Sequence, residues 1–386
     1  MKKKLLRITT VSNSLNLLLR GQLHFMNQFY EVVGVASDDG SLYKVKEREG
    51  VRTVNLRMER KISLINDFKS LIKMIRIVRE EKPFIVHSNT PKASLLSMIS
   101  AKLCLIPIRI YTVTGLRFEG EYGVKRKILK LMEQITCKCA TNVIPEGDGV
   151  RNTLIREKIT KKPLNKILNG NINGIDLTLF DPNKYSAIWK KNLRNSLNID
   201  ENDFVFIFIG RLVKDKGINE LVSAFSKLTH DDCKLLLVGA FEKGLDPLFK
   251  VTIEEIKKNR NIISVGFQND VLPYLAIANT LAFPSYREGF PNVVLQAGAM
   301  GLPSIVTDIN GCNEIIIESE NGVIIPPKDK NALLGAMQYF LYNRSEVDRM
   351  SINARQLIVT RYEQKTVWEA LLAEYKRLEQ EYDIKM

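Results

Sequence analysis

The chain repeats one local pattern: a short apolar run, followed by a longer stretch whose apolar residues have helical spacing. No hairpin signal joins the apolar runs of the first part. Strands separated by helices pair in parallel, because the chain must cross back before the next strand begins. The apolar runs are residues 4–11, 31–37, 51–56, 84–88, 109–113 and 142–145, and the main helical stretches are 14–29, 68–81, 91–105 and 124–139. The sequence therefore predicts α/β architecture with a parallel, doubly wound sheet.

The pattern pauses at residues 165–181 and then begins again. Glycine and proline punctuate this span, which is typical of a connection between domains. Further apolar runs alternate with helical stretches after it, at residues 204–210, 234–239, 261–265 and 280–283. We therefore expect two tandem Rossmann-like domains facing across a cleft. The predicted bounds are residues 1–170 for the first domain, 171–365 for the second, and 366–386 for a terminal helix that packs back on the first.

Composition fits an ordinary globular protein rather than a membrane-spanning one. Of 386 residues, 45% are hydrophobic and 26% charged. The most apolar run, residues 95–108, is interrupted by Lys102 and Pro107 and is shorter than the ~20 residues of a spanning helix. The apolar segment near the amino terminus ends at Arg7, so we expect no export signal. Five cysteines without metal-ligand spacing suit a reducing cytosol.

The net charge of +14 is confined to the first half of the chain. Residues 1–180 hold 32 Lys and Arg against 16 Asp and Glu, whereas the remaining residues hold 25 against 27. Such a basic surface attracts nucleic acid or an anionic membrane, and a merely solvated lysine-rich surface is the alternative interpretation. We find no interleaved aromatic and basic residues and no known nucleic-acid-binding motif, so we expect no nucleic-acid partner.

Two loops of the second domain carry candidate chemistry. After the apolar run ending at Phe283 come Glu288 and, eight residues later on a predicted helix, Gln296. Ligands of open α/β sheets bind at the carboxyl ends of the strands, where these residues should lie. After the strand at 204–210 come Arg211 and Lys216, whose forked and point charges suit a diphosphate. An ordinary polar turn is an equal alternative when this loop is considered alone.

Taken together, these stretches resemble a known family. They are similar to the retaining, nucleotide-sugar-dependent glycosyltransferases of the GT-B type, in the group 1 or family 4 class that includes bacterial polysaccharide and lipid-linked-oligosaccharide transferases. The resemblance spans essentially the whole chain. The residues that carry it are Asn173-Gly174-Ile175-Asp176, GRLVKDKG at 210–217, FPSYREGFPNVVLQAGAMG at 283–301 and TDINGCNE at 307–314.

The resemblance implies a role for each matching position. Arg211 and Lys216 would hold the diphosphate of the donor without a metal ion, and Glu288 would contact the donor sugar. Further donor-binding positions would be Gly210, Phe290, Asn292, Val293 and Gln296. Gln296 replaces the glutamate that usually binds the ribose hydroxyls, yet an amide also forms such hydrogen bonds. The segment 308–314 would shape the adjoining wall, with Gly311 permitting a close approach.

The first domain departs from the pattern of many relatives. Ser12-Asn13-Ser14 stands in place of a paired-glycine loop, and Thr112-Val113-Thr114-Gly115 replaces a segment with histidine. This form resembles members that extend undecaprenyl-diphosphate-linked sugars. The resemblance places Thr114, Gly115, Arg20 and Lys92 on the acceptor or donor-sugar side. We expect His87, at a strand end, to be structural.

The resulting expectation is a retaining glycosyltransferase at the inner face of the cell membrane. Its donor would be a UDP-sugar, plausibly a UDP-N-acetylhexosamine, and its acceptor a polyprenyl-diphosphate-linked sugar of cell-surface glycan synthesis. The basic helix at 124–139 would contact anionic lipid through Lys125, Arg126, Lys127 and Lys130. The alternatives are a nucleotide-sugar 2-epimerase of the same fold and, remotely, a basic nucleic-acid-binding protein.

Overall fold

The computed structural model describes residues 2–59, 63–228, 230, 232–242, 244 and 246–385. Its strands are β1 (Lys4–Val11), β2 (Glu31–Ser37), β3 (Arg52–Asn55), β4 (Ile85–Ser88), β5 (Ile108–Val113), β6 (Asn142–Pro145), β7 (Phe204–Ile209), β8 (Cys233–Val238), β9 (Ile262–Gly266), β10 (Thr280–Phe283), β11 (Ser304–Thr307) and β12 (Gly322–Ile325). Its helices are α1 (Ser12–Leu18), α2 (Gln22–Asn27), α3 (Leu42–Glu49), α4 (Leu64–Glu81), α5 (Pro91–Leu103), α6 (Gly123–Cys139), α7 (Asp148–Arg156), α8 (Ala187–Ser196), α9 (Ile218–Phe225), α10 (Lys250–Lys258), α11 (Leu272–Ala276), α12 (Asn292–Ala299), α13 (Cys312–Ile315), α14 (Lys330–Tyr342), α15 (Arg344–Tyr362) and α16 (Gln364–Lys385).

The chain divides into two compact units, Met1–Gly174 with Gln364–Met386, and Ile175–Glu363. The first boundary lies beyond the predicted division between residues 170 and 171, because the intervening loop bonds within the first unit. The side chain of Asn171 accepts hydrogen bonds from the N–H groups of Asn173 and Gly174, and Asn173 Nδ2 donates to the carbonyl oxygen of Arg20.

The first unit is built on a six-stranded parallel sheet with the order β3-β2-β1-β4-β5-β6. Its central strands, β1, β2, β4 and β5, are largely buried because helices cover both faces of the sheet, whereas the edge strand β3 is not. The single helix predicted over residues 14–29 is wrong, since α1 and α2 are separate helices. Gly21, at φ +81°, breaks the helix, and the ring of Trp368 fills the space that a side chain at position 21 would need.

The last helix, α16, belongs to the first unit. Leu371 and Tyr375 are buried in the same apolar cluster as Leu15 and Leu23. Polar contacts fix the helix in register: Trp368 Nε1 donates to Asn173 Oδ1 at 2.7 Å, and the Tyr30 hydroxyl donates to Glu379 Oε1 at 2.6 Å. The helix therefore completes the core of the first unit.

The second unit repeats the architecture with a parallel sheet of order β12-β11-β10-β7-β8-β9. The chain winds outward from β7 through β8 to β9 and then returns to place β10 on the other side of β7. The direction of winding thus reverses between β7 and β10, as it does between β1 and β4 in the first unit. A reversal of this kind opens a crevice at the carboxyl ends of the two strands.

Among the helices of the described residues, none is both long enough and apolar enough to cross a bilayer.

Candidate functional site

The two loops of the second unit that the sequence singled out lie side by side. β7 and β10 are neighbours in register, with Leu281 opposite Ile207. The loops that follow them are joined by a backbone hydrogen bond, in which the N–H of Tyr286 donates to the carbonyl oxygen of Asp215 at 2.8 Å. Both loops therefore border the crevice at the reversal point of this sheet.

Lys216 and Glu288 are in direct contact at this edge. Lys216 Nζ donates to Glu288 Oε1, and the hydroxyl of Ser285 donates to the same oxygen at 2.8 Å. Each side chain of the ion pair is only 17% exposed, so the pair is weakly screened by solvent. The arrangement places a fixed cation beside a fixed carboxylate, which suits a ligand that carries both phosphate and hydroxyl groups.

Two glycines hold the loop that carries Glu288. Gly217 has φ +71°, and a Cβ atom there would lie 2.0 Å from the carbonyl oxygen of Pro284. Gly311 has φ +75°, and a Cβ atom there would lie 2.6 Å from the carbonyl oxygen of Gly289. The close approach predicted for Gly311 is confirmed, and only glycine fits at either place. The loop is thus fixed by backbone packing from two directions.

Arg211 lies at the end of β7 but outside the Lys216–Glu288 contact. Its side chain is 53% exposed, and Nη1 lies 3.1 Å from Glu242 Oε2. Gly210, just before it, has φ +153°. The guanidinium is therefore at the rim of the crevice, where its exposed ion pair is readily exchanged for a phosphate.

The helix α12 begins where the Glu288 loop ends. Phe290 is buried against Tyr362, with ring centres 5.7 Å apart, so it presents only its backbone. Asn292 and Val293 form the first turn, and no side chain caps it among the described residues. Amides of a helix start attract phosphate. Gln296 follows on the same helix, half-buried, and its amide forms no hydrogen bond with the part of the chain that is described.

The candidate residues of the first unit occupy different settings. Thr114 follows β5, and its hydroxyl donates to the carbonyl oxygen of Asn89 at 2.8 Å. Gly115, beside it, has φ +145°. Lys92 is 6% exposed and pairs with Asp67 at 2.6 Å, so its charge is already compensated. Arg20 is exposed on the turn after α1.

The start of α1 is occupied by a carboxylate of the chain itself. The N–H of Asn13 and the hydroxyl of Ser12 both donate to Asp39 Oδ1. Ser12 and Asn13 therefore fix the end of β2 to the end of β1. The carboxylate of Asp39 occupies the position at the start of α1 where an anion would otherwise bind.

Comparison with known proteins assigns the chain to a family. Residues 190–357 match the family model described as glycosyl transferases group 1, and residues 8–146 match the one described as glycosyl transferase 4-like. The capsular polysaccharide biosynthesis glycosyltransferase CapM of Staphylococcus aureus is 33% identical over 97% of both chains. The chain is a group 1 glycosyltransferase.

A second relative supports this assignment, and a solved structure shows the fold. A UDP-Gal:α-D-GlcNAc-diphosphoundecaprenol α-1,3-galactosyltransferase of Escherichia coli is 31% identical over 78% of this chain and 77% of its own. The solved structure of Anabaena HepE in complex with UDP superposes with a TM-score of 0.81, at 18% identity over 98% of this chain and 100% of that one. The fold is the GT-B fold of two Rossmann-like domains.

Protonation states in the glycosyltransferase follow from burial. Burial, with a smaller effect of the Glu288 carboxylate, raises the pKa of Cys312 well above its usual range, so this thiol stays neutral beside the site. Burial lowers the pKa of His87 well below its usual range, and its ring nitrogens lie 2.6 Å from the Tyr375 hydroxyl and 2.7 Å from Thr112 Oγ1. His87 thus connects β4 to α16 as a neutral ring.

The four basic residues predicted to contact membrane do not share one environment. Arg126 and Lys130 both pair with Glu157, at 2.9 and 2.8 Å. Lys125 pairs with Glu121 at 2.6 Å. Lys127 is exposed and has no ion pair with a described residue. Two of the four charges are therefore used to fasten α6 to the end of α7.

Sequence reasoning missed several residues of the site. Ser285 is fully buried beneath Glu288, and Thr307 Oγ1 donates to the carbonyl oxygen of Ser285. Both lie within the motif stretches, but nothing in the pattern separates a positioning hydroxyl from a solvated one.

Two aromatic rings at the carboxyl edge of the second sheet were also missed. Phe241, which follows β8, forms a backbone β-bridge with Leu212. Phe267, which follows β9, is 71% exposed. Such rings at the carboxyl edge can stack on a nucleobase.

Proposed function

We propose that this glycosyltransferase moves a sugar, with retention at the anomeric carbon, from a UDP-sugar to a polyprenyl-diphosphate-linked sugar. A UDP-N-acetylhexosamine is the proposed donor, and synthesis of a cell-surface polysaccharide or glycan is the proposed setting. The observation that carries this proposal is the fixed Lys216–Glu288 pair at the reversal point of the second sheet.

Each side chain of the site has a part in the proposed reaction. Lys216 and Arg211 compensate the charge that develops on the departing diphosphate, without a metal ion. Glu288 accepts hydrogen bonds from sugar hydroxyls, and Gln296 binds the ribose. The acceptor hydroxyl oxygen bonds to the anomeric carbon on the face from which UDP leaves. The bond from that carbon to the phosphate oxygen breaks, and the hydroxyl proton passes to the leaving phosphate.

The relatives support the donor and acceptor classes. The name of the Escherichia coli relative states a UDP-linked donor and a diphosphoundecaprenol-linked acceptor, and the Staphylococcus aureus relative is named for capsular polysaccharide biosynthesis. The basic first half of the chain supports a peripheral position at the inner face of the membrane, where anionic headgroups attract it through residues that include Lys125 and Lys127.

The proposal is tested by measuring nucleotide release from a panel of UDP-sugars, with and without a polyprenyl-diphosphate-linked sugar. We expect release that depends on the acceptor, a product one sugar heavier by mass spectrometry, the donor's anomeric configuration in that product, and no effect of EDTA. An isomerised UDP-sugar formed without acceptor would instead identify a 2-epimerase. No nucleotide release with any donor would reject sugar transfer.

A further inference from the structure

Two helices of the first unit, α4 and α6, expose rows of large apolar side chains. On α4 the row is Ile65, Phe68 and Ile72, and on α6 it is Val124, Ile128 and Leu131; these six residues are called the apolar face. They are 48% to 73% exposed. Spacings of three and four residues align each row along one side of its helix. An ordinary solvated surface does not maintain two such rows.

The apolar face is separate from the core-packing sides of the same helices. α4 buries Met74 and Val78, and α6 buries Leu129 and Cys137. Each helix therefore carries one apolar row that packs on the sheet and a second that faces outward. The outward rows bury less apolar surface within the unit than the rows that pack on the sheet, so they contribute less to its folding.

The two rows lie on the same side of the sheet. α5 packs against both α4 and α6, so the three helices form one layer. Each helix follows a strand of the parallel sheet and runs back, so all three begin near the carboxyl ends of the strands. Ile65 and Val124, in the first turns of α4 and α6, are therefore near the edge where ligands of such sheets bind.

Basic side chains flank the apolar face. Lys69 and Lys73 on α4, and Lys127 and Lys138 on α6, are exposed and form no ion pair with a described residue. Two acidic groups near the starts of these helices are already engaged, Asp67 with Lys92 and Glu121 with Lys125. Apolar rows bordered by uncompensated lysines fit the boundary between the headgroups and acyl chains of an anionic bilayer.

We propose that the apolar face inserts into the surface of an anionic phospholipid bilayer, with the four flanking lysines in the headgroup layer. Insertion, rather than charge alone, then holds the first unit at the membrane. The inference rests on the proposed function for the location of the acceptor. Its test uses lipid binding, which does not require sugar transfer.

The test is sedimentation of the full chain with vesicles of phosphatidylglycerol and phosphatidylcholine. The variant F68Q/I128Q/L131Q replaces three exposed residues by a polar residue that favours helix. We expect its affinity for the vesicles to fall by about tenfold or more. The matched control I188Q/V251Q/I352Q changes three residues of the second unit that are 70% to 74% exposed, and it should bind as the wild type does.

Three outcomes would overturn the proposal. Wild-type chain that does not sediment with the vesicles removes its basis. If both triple variants bind the vesicles equally well, charge alone attaches the chain to the bilayer. If the F68Q/I128Q/L131Q chain binds lipid normally but is a monomer in analytical ultracentrifugation where the wild type is a dimer, the apolar face is an interface between two copies of the chain. Wild-type vesicle binding without any sugar transfer would contradict the proposed function and leave this inference standing.

Discussion

Glu288 is held by two donors before any substrate arrives. Lys216 and Ser285 both donate to its Oε1 atom, and Thr307 fixes the backbone of Ser285 in turn. A carboxylate with little freedom of rotation loses little entropy when it engages a ligand. At the scale of single residues, the site is therefore organised in advance, and changes to these side chains should alter turnover more than folding.

Substitution of Gln296 tests its proposed contact with the ribose of the donor. Gln296→Ala should raise the donor KM by about fivefold, because one hydrogen bond contributes about 1 kcal/mol, and should leave kcat nearly unchanged. Gln296→Glu should keep the donor KM at or below the wild-type value, since a carboxylate also accepts from hydroxyls. Steady-state kinetics with varied donor measure both effects. Gln356→Ala, on an exposed part of α15, is the control. An unchanged KM in Gln296→Ala would remove this residue from the site.

Glu133 makes the stability of the first unit depend on pH. Burial raises its pKa to about 7, against the opposing effects of the Tyr111 hydroxyl, which donates at 2.8 Å, and of Arg117. The folded chain therefore holds a proton that the unfolded chain releases above pH ~4.5. The associated stability is present at low pH and is lost as pH rises through about 7.

The substitution Glu133→Gln should remove this loss of stability at high pH. Between pH 5 and pH 8 its free energy of unfolding should rise relative to that of the wild type, by roughly 3 kcal/mol at most. Urea unfolding at several pH values measures the difference. A difference that stays constant over this range would contradict the assignment.

At the scale of elements, the turns matter as much as the strands. Gly217→Ala should destabilise the fold by about 2 kcal/mol or more and reduce sugar transfer, because its Cβ would collide with the backbone of Pro284. Gly50→Ala shares a positive φ, +64°, but no atom lies within 4 Å of its Cβ position. Urea unfolding and transfer rates should therefore show a much smaller effect for Gly50→Ala. If the two substitutions had equal effects, backbone strain at positive φ would explain both, and the contact of Gly217 with Pro284 would have no role.

The sequence predicted these elements where one local signal decides them. β7 and β10 were found because central parallel strands are continuous apolar runs. The break between α1 and α2 was missed, because it depends on Trp368, far along the chain, packing against Gly21. For the same reason, the motifs placed Lys216 and Glu288 in one site but did not show that they touch, or that Ser285 lies beneath them.

At the scale of the whole molecule, each unit has its own apolar core. The buried cluster of the second unit is built from its own strands and helices, whereas the first unit needs α16, from the far end of the chain, to cover Leu15 and Leu23. The sequence predicted a terminal helix that packs back on the first domain, but not the residues that it contacts. The contacts of Tyr375 and Glu379 show where it binds.

Tyr375→Ala should therefore weaken the first unit selectively. Loss of a fully buried aromatic ring costs about 3–5 kcal/mol and leaves Nδ1 of the His87 ring without its hydroxyl partner. Hydrogen exchange should accelerate in β1 and β4 and stay slow in β7 and β10. Tyr342→Ala, which removes a 64% exposed ring on α14, should leave exchange in β1 and β4 unchanged. Equal acceleration in both sheets would contradict the separate cores.

The most direct test of the site is the rate of UDP release by Glu288→Ala with donor and lipid-linked acceptor present. We expect a fall of about a hundredfold or more, with an unchanged melting temperature, because in the proposed reaction Glu288 contacts the donor sugar. Glu320→Ala, at an exposed glutamate of the same unit, should release UDP at the wild-type rate. A Glu288→Ala chain that retains full activity would contradict the assignment of the site.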